Sequence, residues 1–166
     1  MRIRQEELSD IERIRALNVA AFGSTVEAHI VDALRGDADV LSLVAEEGDA
    51  VVGHIMFSPV QVAGGRDLRA VALAPMAVAL ECQRTGVGSA LVHAGLAECR
   101  DLGIHAVFVV GHPTYYPRFG FRLASTAGFA CEFAVPDEVF MVAELVPNAL
   151  AGKSGTVHFH QAFKEV

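Results

Sequence analysis

The chain is poor in the features that mark a membrane protein, a disulfide scaffold or a nucleic-acid binder. Its three cysteines are Cys82, Cys99 and Cys131. They are too few and too scattered for a disulfide framework or a zinc site, so they read as reduced thiols and no metal is expected. No apolar run reaches the ~18 residues that cross a bilayer without interruption by charges or helix breakers. The opening Met1-Arg2-Ile3-Arg4-Gln5-Glu6-Glu7 lacks a long apolar stretch and does not read as a signal peptide, so the expected location is cytoplasmic. Thirteen Lys and Arg stand against twenty Asp and Glu, a net charge of −7. The acidic residues are spread along the chain, which leaves no basic face for nucleic acid. That balance is compatible with a cationic amine substrate. There is no internal repeat and no low-complexity tract.

What is present is apolar. Residues of that class make up 52% of the 166, enough for one folded domain with a full core. Met1 to Gln5 reads as a short strand. Ser9-Asp10-Ile11-Glu12 has the form of a capping box, and Ile11, Ile14, Leu17 and Val19 continue a helix toward Phe22. Ser24-Thr25-Val26-Glu27 is a second such box, followed by Ile30, Val31 and Leu34 on one face, with Gly36 just past the end. Leu41 to Glu46 and Ala50 to Val62 read as a hairpin around Glu47-Gly48-Asp49. A further strand from Arg69 to Val78, with an apolar run reaching Leu80, follows the turn at Gly64-Gly65-Arg66-Asp67. Pro75 inside it marks a bulge or the end of regular pairing. Ser89 to Leu102 reads as a helix, Gly103 as its cap, and Ile104 to Val110 as a buried strand. Phe140 to Leu145 is a strand, and Thr156 to Phe163 alternates as another. Leu123 to Pro136 has no clear pattern, and Pro147 to Gly155 has the composition of a linker.

Between the strand ending near Val78 and the helix lies Gln83-Arg84-Thr85-Gly86-Val87-Gly88. A strand, a glycine-bearing turn and a helix start form an anion site, because first-turn amides point outward and the helix dipole adds positive charge. On that geometry the Val87, Gly88 and Ser89 amides face a phosphate, with Arg84, Thr85 and Gly86 beside them and Gln83 tying the loop to the strand. A P-loop is excluded because no Lys follows the glycines. A dinucleotide fingerprint fails because Leu91 stands at its third glycine position. The next strand ends in Gly111-His112-Pro113-Thr114-Tyr115-Tyr116-Pro117-Arg118-Phe119-Gly120-Phe121. Strand, helix, strand implies a parallel pair with a right-handed crossover, whose ligands sit at the carboxyl ends.

With both motifs in this order, Met1 to about Leu145 resembles the GNAT superfamily of acyl-CoA N-acyltransferases. Gln83 to Gly88 matches that family's Q/R-x-x-G-x-G/A loop, and Tyr116 to Phe121 its Y-x-x-x-G-F motif. Gly111 to Phe121 and Asp137-Glu138-Val139-Phe140-Met141-Val142 resemble a bacterial subgroup of N-acetyltransferases with poorly defined substrates. The resemblance implies an α/β fold whose central, mostly antiparallel sheet splays at a parallel strand pair. It implies one domain over 1–166, with a core over 1–146 and an extension over 147–166 that carries an extra strand. It implies acetyl-CoA as cosubstrate, its pantetheine arm against the backbone of Met76, Ala77 and Val78, and Tyr116 as general acid.

Acyl transfer to an amine needs an uncharged nucleophile, a stabilised oxyanion and a proton or hydrogen bond for the departing thiolate. Some relatives place a Glu on the strand before the loop; here Val71-Ala72-Leu73-Ala74 is wholly apolar. Glu27, His54 and His112 are candidate substitutes, directly or through water, and the candidate substrate contacts; deprotonation by bulk water is the alternative. Two alternatives stand beside the N-acetyltransferase reading: a CoA-binding module with weak or no turnover, and a plain α/β interaction domain. The acceptor amine is not named by any motif, and the assembly is compatible with a homodimer.

Overall fold

A computed structural model describes residues 1–165. The strands are β1 (Arg2–Gln5), β2 (Leu41–Glu47), β3 (Ala50–Gly64), β4 (Ala70–Val78), β5 (Ala106–Val110), β6 (Arg122–Leu123), β7 (Phe129–Cys131), β8 (Phe140–Glu144) and β9 (Ser154–His158). The helices are α1 (Ile11–Phe22), α2 (Val26–Leu34) and α3 (Val87–Asp101). The fold is mixed α/β. Among the described residues a nine-stranded sheet runs β1-β2-β3-β4-β5-β8-β6, with β9 pairing β3 and β7. The residues group into two compact units.

The first unit holds Met1–Ser58, Ala74–Gly95 and the segment from Gln161. β1 to β3 form an antiparallel meander with Arg2 opposite Glu46 and Leu41 opposite Phe57. Period-two alternation sends Gly53 toward α3, where an added Cβ would lie 2.8 Å from both Val87 and Leu91 side chains. The other face, with Met56, joins Val44, Ile14, Ile30, Val31 and Leu34 in one apolar cluster. The cap of the first helix differs from the expected Ser9 box. Asp10 Oδ2 accepts the Glu7 N–H at 2.7 Å, while the same carboxylate takes a bidentate Arg4 at 2.7 and 3.0 Å. The box is thus formed one turn earlier, across the 3-10 turn Leu8–Asp10 with Glu7 at its N-cap, and α1 itself starts from Asp10 without a side-chain cap bond. At α2 the Ser24 hydroxyl accepts the Val26 N–H at 3.1 Å.

Between β3 and the helices runs a buried polar chain. Ser42 Oγ lies 2.8 Å from Glu6 Oε1 and 2.8 Å from His54 Nε2. A carboxylate only accepts, so the hydroxyl donates to Glu6 and receives Nε2–H. His54 Nδ1 is then the acceptor facing Asn18 Nδ2 at 3.5 Å. Loss of solvent pushes the His54 imidazole down from 6.5 to about 4, against the opposing pull of Glu6. The fold therefore holds neutral imidazole, while the unfolded chain takes up a proton as pH falls below 6.5. Stability is expected to drop by about 3 kcal/mol between pH 6.5 and about 4 from this group alone. Urea titrations across that window test it: His54→Gln flattens the slope, and an unchanged slope would show that another group carries it.

The second unit holds Pro59–Leu73 and Leu96–His160. Parallel β4–β5 pairing runs from Ala70 opposite Ala106 to Ala72 opposite Phe108. β8 covers the other side of β5 antiparallel, Ala106 opposite Glu144. Phe108 stacks on Phe140 at 5.7 Å and meets Phe129 edge-on at 5.3 Å. Burial pushes the Cys99 thiol up to about 12, so it is an inert core residue.

Several boundaries correct the sequence reading. Leu80 leaves the strand for a 3-10 turn over Leu80–Cys82 and is 61% exposed. The third helix begins at Val87, two residues before the expected Ser89. The last strand spans 154–158 rather than 156–163, because Gln161–Lys164 is a 3-10 turn whose Ala162 and Phe163 join the α1–α2 cluster. The stretch 147–155 is no linker: Glu144 accepts the Asn148 and Leu150 amides at 3.3 and 3.0 Å and buries Leu150. The unpatterned region after Leu123 contains β7, which pairs parallel with β9, Phe129 opposite Gly155. Among the described residues no helix is long and apolar enough to cross a membrane.

Candidate functional site

In the first unit, β4 delivers the chain to an exposed loop at the start of α3. Within β4, Ala77 is buried and Met76 and Val78 are half-buried. Gln83 Nε2 donates to Val78 O at 3.2 Å, fastening the loop to the strand end. Thr85 Oγ1 donates to Cys82 O. Arg84 and Gly86 both take left-handed backbone, φ 63° and 94°. For Arg84 that conformation is uncommon; for Gly86 it is free, and no atom lies within 4 Å of where its Cβ would be. The first helical bond runs from Ala90 N–H to Gly86 O at 3.0 Å. The Val87 and Gly88 amides therefore precede the helical ladder, at the positive end of the dipole. Ser89 is half-buried in the same first turn. Gly53 lets Val87 and Leu91 seat directly on β3, and Ala79 N–H donates to Val52 O at 2.8 Å, so both sides of the loop are anchored. An exposed loop with bare backbone at a helix start is chemically matched to a diphosphate.

Two of the proposed substrate contacts also lie in this unit. Glu27 is half-buried in the first turn of α2, and its Oε1 is buried without a partner. His54 differs from the expectation of a direct contact. It has no exposed surface, and its ring nitrogens face Ser42 and Asn18. Its Nδ1 instead faces the Asn18 amide inside the core.

In the second unit, β5 ends at Val110 and Gly111 N–H donates to Val139 O at 2.9 Å. The chain turns at the exposed His112 and enters a 3-10 turn, Tyr116–Phe119, closed by Gly120 at φ 93°. Tyr116 is 7% exposed. Its ring meets Tyr115 edge-on at 5.1 Å and Phe121 at 5.5 Å. Burial, then the neighbouring Tyr115, pushes its phenol up to about 12. Arg118 is exposed, and its guanidinium sits 4.7 Å above the Tyr115 ring, a cation–π contact. Gly111 opens the segment quoted from the sequence, but no packing role was read for it there. A Cβ there would collide with Tyr116 Cε2 and lie 2.9 Å from Cδ2. Gly111→Ala is expected to cost about 1–3 kcal/mol of stability through overpacking. An unchanged urea midpoint would show that the tyrosine ring yields freely.

Residues 2–124, which include both the loop and Tyr116, match the family model for the acetyltransferase (GNAT) domain. The chain belongs to the GNAT acetyltransferase family, whose acyl donor is acetyl-CoA. It is 38% identical over 165 residues to the uncharacterized N-acetyltransferase YhbS of Escherichia coli K12, covering 98% of each chain. It is 39% identical over 135 residues to the uncharacterized N-acetyltransferase YjhQ of the same strain, covering 78% of this chain and 75% of that one. The crystal structure of Escherichia coli YhbS in complex with CoA superposes with a TM-score of 0.93 at 37% identity, over 99% of this chain and 92% of that one. A GNAT acetyltransferase from Brucella melitensis, solved with acetyl-CoA, gives 0.80 at 35% identity, over 98% and 97%.

Proposed function

We propose that this chain transfers the acetyl group of acetyl-CoA to a primary amine of a small molecule or a protein, by direct attack of the amine on the thioester. The observation that carries the reading is the left-handed, glycine-bearing loop fastened by Gln83 at the start of α3. Relatives at 37% and 35% identity hold CoA and acetyl-CoA, which supports the same ligand here. Acetyl-CoA supplies an activated acyl group. In this reading the Val87 and Gly88 amides receive its diphosphate, with Ser89 next in the same turn and Arg84, Thr85 and Gly86 alongside. Met76, Ala77 and Val78 offer backbone to the pantetheine arm. Tyr116 donates a hydrogen bond to sulfur as negative charge develops there. His112, exposed beyond β5, and Glu27 are proposed acceptor contacts. The whole chain acts as one acetyltransferase domain. Its cysteines are unpaired, in keeping with work in the reducing cytoplasm.

A second reading, a CoA-binding module with little turnover, is favoured by one observation: Val71 to Ala74 offers no carboxylate on the strand before the loop. Two measurements separate the readings. A thermal shift with acetyl-CoA tests binding, and thiol release with a panel of primary amines tests transfer. Both are expected. Binding without amine-dependent thiol release would favour the module, and no binding at all would end both.

A further inference from the structure

The turn that carries Tyr116 folds back on its own start, and the point of contact is Gly111. The Tyr115 and Tyr116 N–H groups both donate to His112 O, at 3.1 and 3.4 Å. Gly111 N–H donates to Val139 O at 2.9 Å, and Gly120 N–H closes the turn on Pro117 O at 3.1 Å. All of these residues belong to the second unit. Gly111 is not among the left-handed glycines of the chain, so its backbone conformation would accept an alanine and only the space requires glycine. One side chain takes that space. The three heavy atoms nearest to an added Cβ all belong to the Tyr116 ring: the Cβ would overlap Cε2, lie 2.9 Å from Cδ2 and lie 3.3 Å from Cζ.

The contact falls on the end of the ring that bears the hydroxyl. Cζ carries the phenolic oxygen, and Cε2 is bonded to Cζ. Carbon atoms in ordinary contact stand about 3.5–4.0 Å apart, so a methyl at 111 must displace that end of the ring by on the order of 1 Å. The oxygen lies farther out on the same arm and moves at least as far. The backbone on either side is pinned by the hydrogen bonds just named. The other neighbours of the ring are aromatic. Tyr115 meets it edge-on at 5.1 Å and 87°, and Phe121 at 5.5 Å and 72°. Tyr115 is itself held edge-on to Phe119 at 5.1 Å, with the Arg118 guanidinium over its face.

We propose that Gly111 and Tyr115 are positioning residues for the transfer: the bare Cα of Gly111 and the braced ring of Tyr115 fix the line along which the Tyr116 hydroxyl is presented. The inference rests on the N-acetyltransferase reading and deepens it, adding to the phenol two residues that act only through it. A donor that works by one hydrogen bond is sensitive to placement, because such a bond weakens steeply with length and angle. A misplacement of about 1 Å is enough to cost a reaction up to about a hundredfold.

The test is a double-mutant cycle in the full chain, Gly111→Ala and Tyr116→Phe singly and together. Each protein is read by kcat and KM for acetyl-CoA, by urea midpoint, and by the tyrosine band of near-UV circular dichroism. Gly111→Ala is expected to lower kcat about tenfold or more. Its KM for acetyl-CoA should stay within about twofold, because Gln83 to Gly88 are untouched. Phenylalanine keeps the ring, so the fall in urea midpoint should recur in the Tyr116→Phe background. There kcat should drop by less than about twofold further, since the hydroxyl to be placed is gone. A loss of kcat that recurs in full in that background, or an unchanged kcat in Gly111→Ala, overturns the proposal and leaves Gly111 a packing residue. The chain has two tyrosines and no tryptophan, so the dichroism band reports this cluster alone. Gly111→Ala should alter it; an unchanged band shows an undisplaced ring and overturns the proposal without any turnover. If Gly111→Ala does not fold, Tyr115→Leu, which removes the half-buried wall, should give the same pattern of loss in the wild-type background and none in Tyr116→Phe. If Tyr116→Phe alone keeps full turnover, or the wild type acetylates no amine, the transfer reading fails instead, and the dichroism separately decides whether Gly111 places the ring.

Discussion

Gly88→Glu is expected to abolish acetyl-CoA binding and leave the protein at least as stable as before. The two effects have opposite physical signs. Gly88 lies in the first turn of α3. There glutamate has better helix propensity than glycine by roughly 0.5–1 kcal/mol, and a negative charge at a helix start adds a few tenths more. Against a diphosphate the same side chain is bulky and of like charge, and it occupies the anion's place at the dipole. Wild-type protein at about 100 times its dissociation constant gains about 2.7 kcal/mol, which for a chain of this length is a rise of roughly 5–10 °C in melting temperature. The variant should melt at or above the ligand-free wild type and show no rise with acetyl-CoA. Retained micromolar binding in folded Gly88→Glu would contradict the role of this loop.

That loop was legible in the sequence because its chemistry is local. Gln83, Gly86 and Gly88 sit within six residues, and the strand before them and the helix after them carry their own periodicities. The same holds for α1 and for the β2–β3 hairpin. What escaped the sequence depends on which polar group takes which partner, within a few residues or far along the chain. Nothing near Ser9 tells that Arg4 will claim Asp10, or that Asp10 will then cap Glu7. The 147–155 stretch resembles a linker until the Glu144 carboxylate is seen to accept two of its amides. His54 read as a candidate base and substrate contact because Asn18 and Ser42, which enclose it, lie 36 and 12 residues away. A signal for Asn18 was present: it is a polar residue on the stripe of Ile14 and Leu17, where a core helix wants an apolar one. Gly111 could have been weighed as well, since a glycine just before an aromatic-rich turn marks a close approach.

Tyr116→Phe separates chemistry from packing at the second motif. Phenylalanine keeps the ring that fills the space over Gly111 and packs on Tyr115 and Phe121, so the melting temperature and the acetyl-CoA shift are expected to change little. Turnover is expected to fall by about ten- to a hundred-fold, the worth of one hydrogen bond to a charged group at roughly 1.5–3 kcal/mol. The size of the loss also says what kind of donor the phenol is. Burial pushes it up to about 12, whereas a thiol ionises near ~8.5. Handing the proton over completely is then uphill by about 5 kcal/mol, more than the roughly 2 kcal/mol implied by an unperturbed phenol near ~10. In the proposed transfer Tyr116 is therefore expected to keep its proton and hydrogen-bond the sulfur as CoA leaves as thiolate, while the attacking amine gives up its own proton to solvent. One consequence can be read from pH. The phenol stays protonated through the neutral and mildly alkaline range, so the wild-type rate should show no alkaline decline owing to Tyr116 below about pH 11. Tyr116→Phe should lower the whole profile without moving its inflections. Unchanged turnover in that variant would reduce Tyr116 to a packing residue, and a shifted alkaline limb would show that it titrates during the reaction after all.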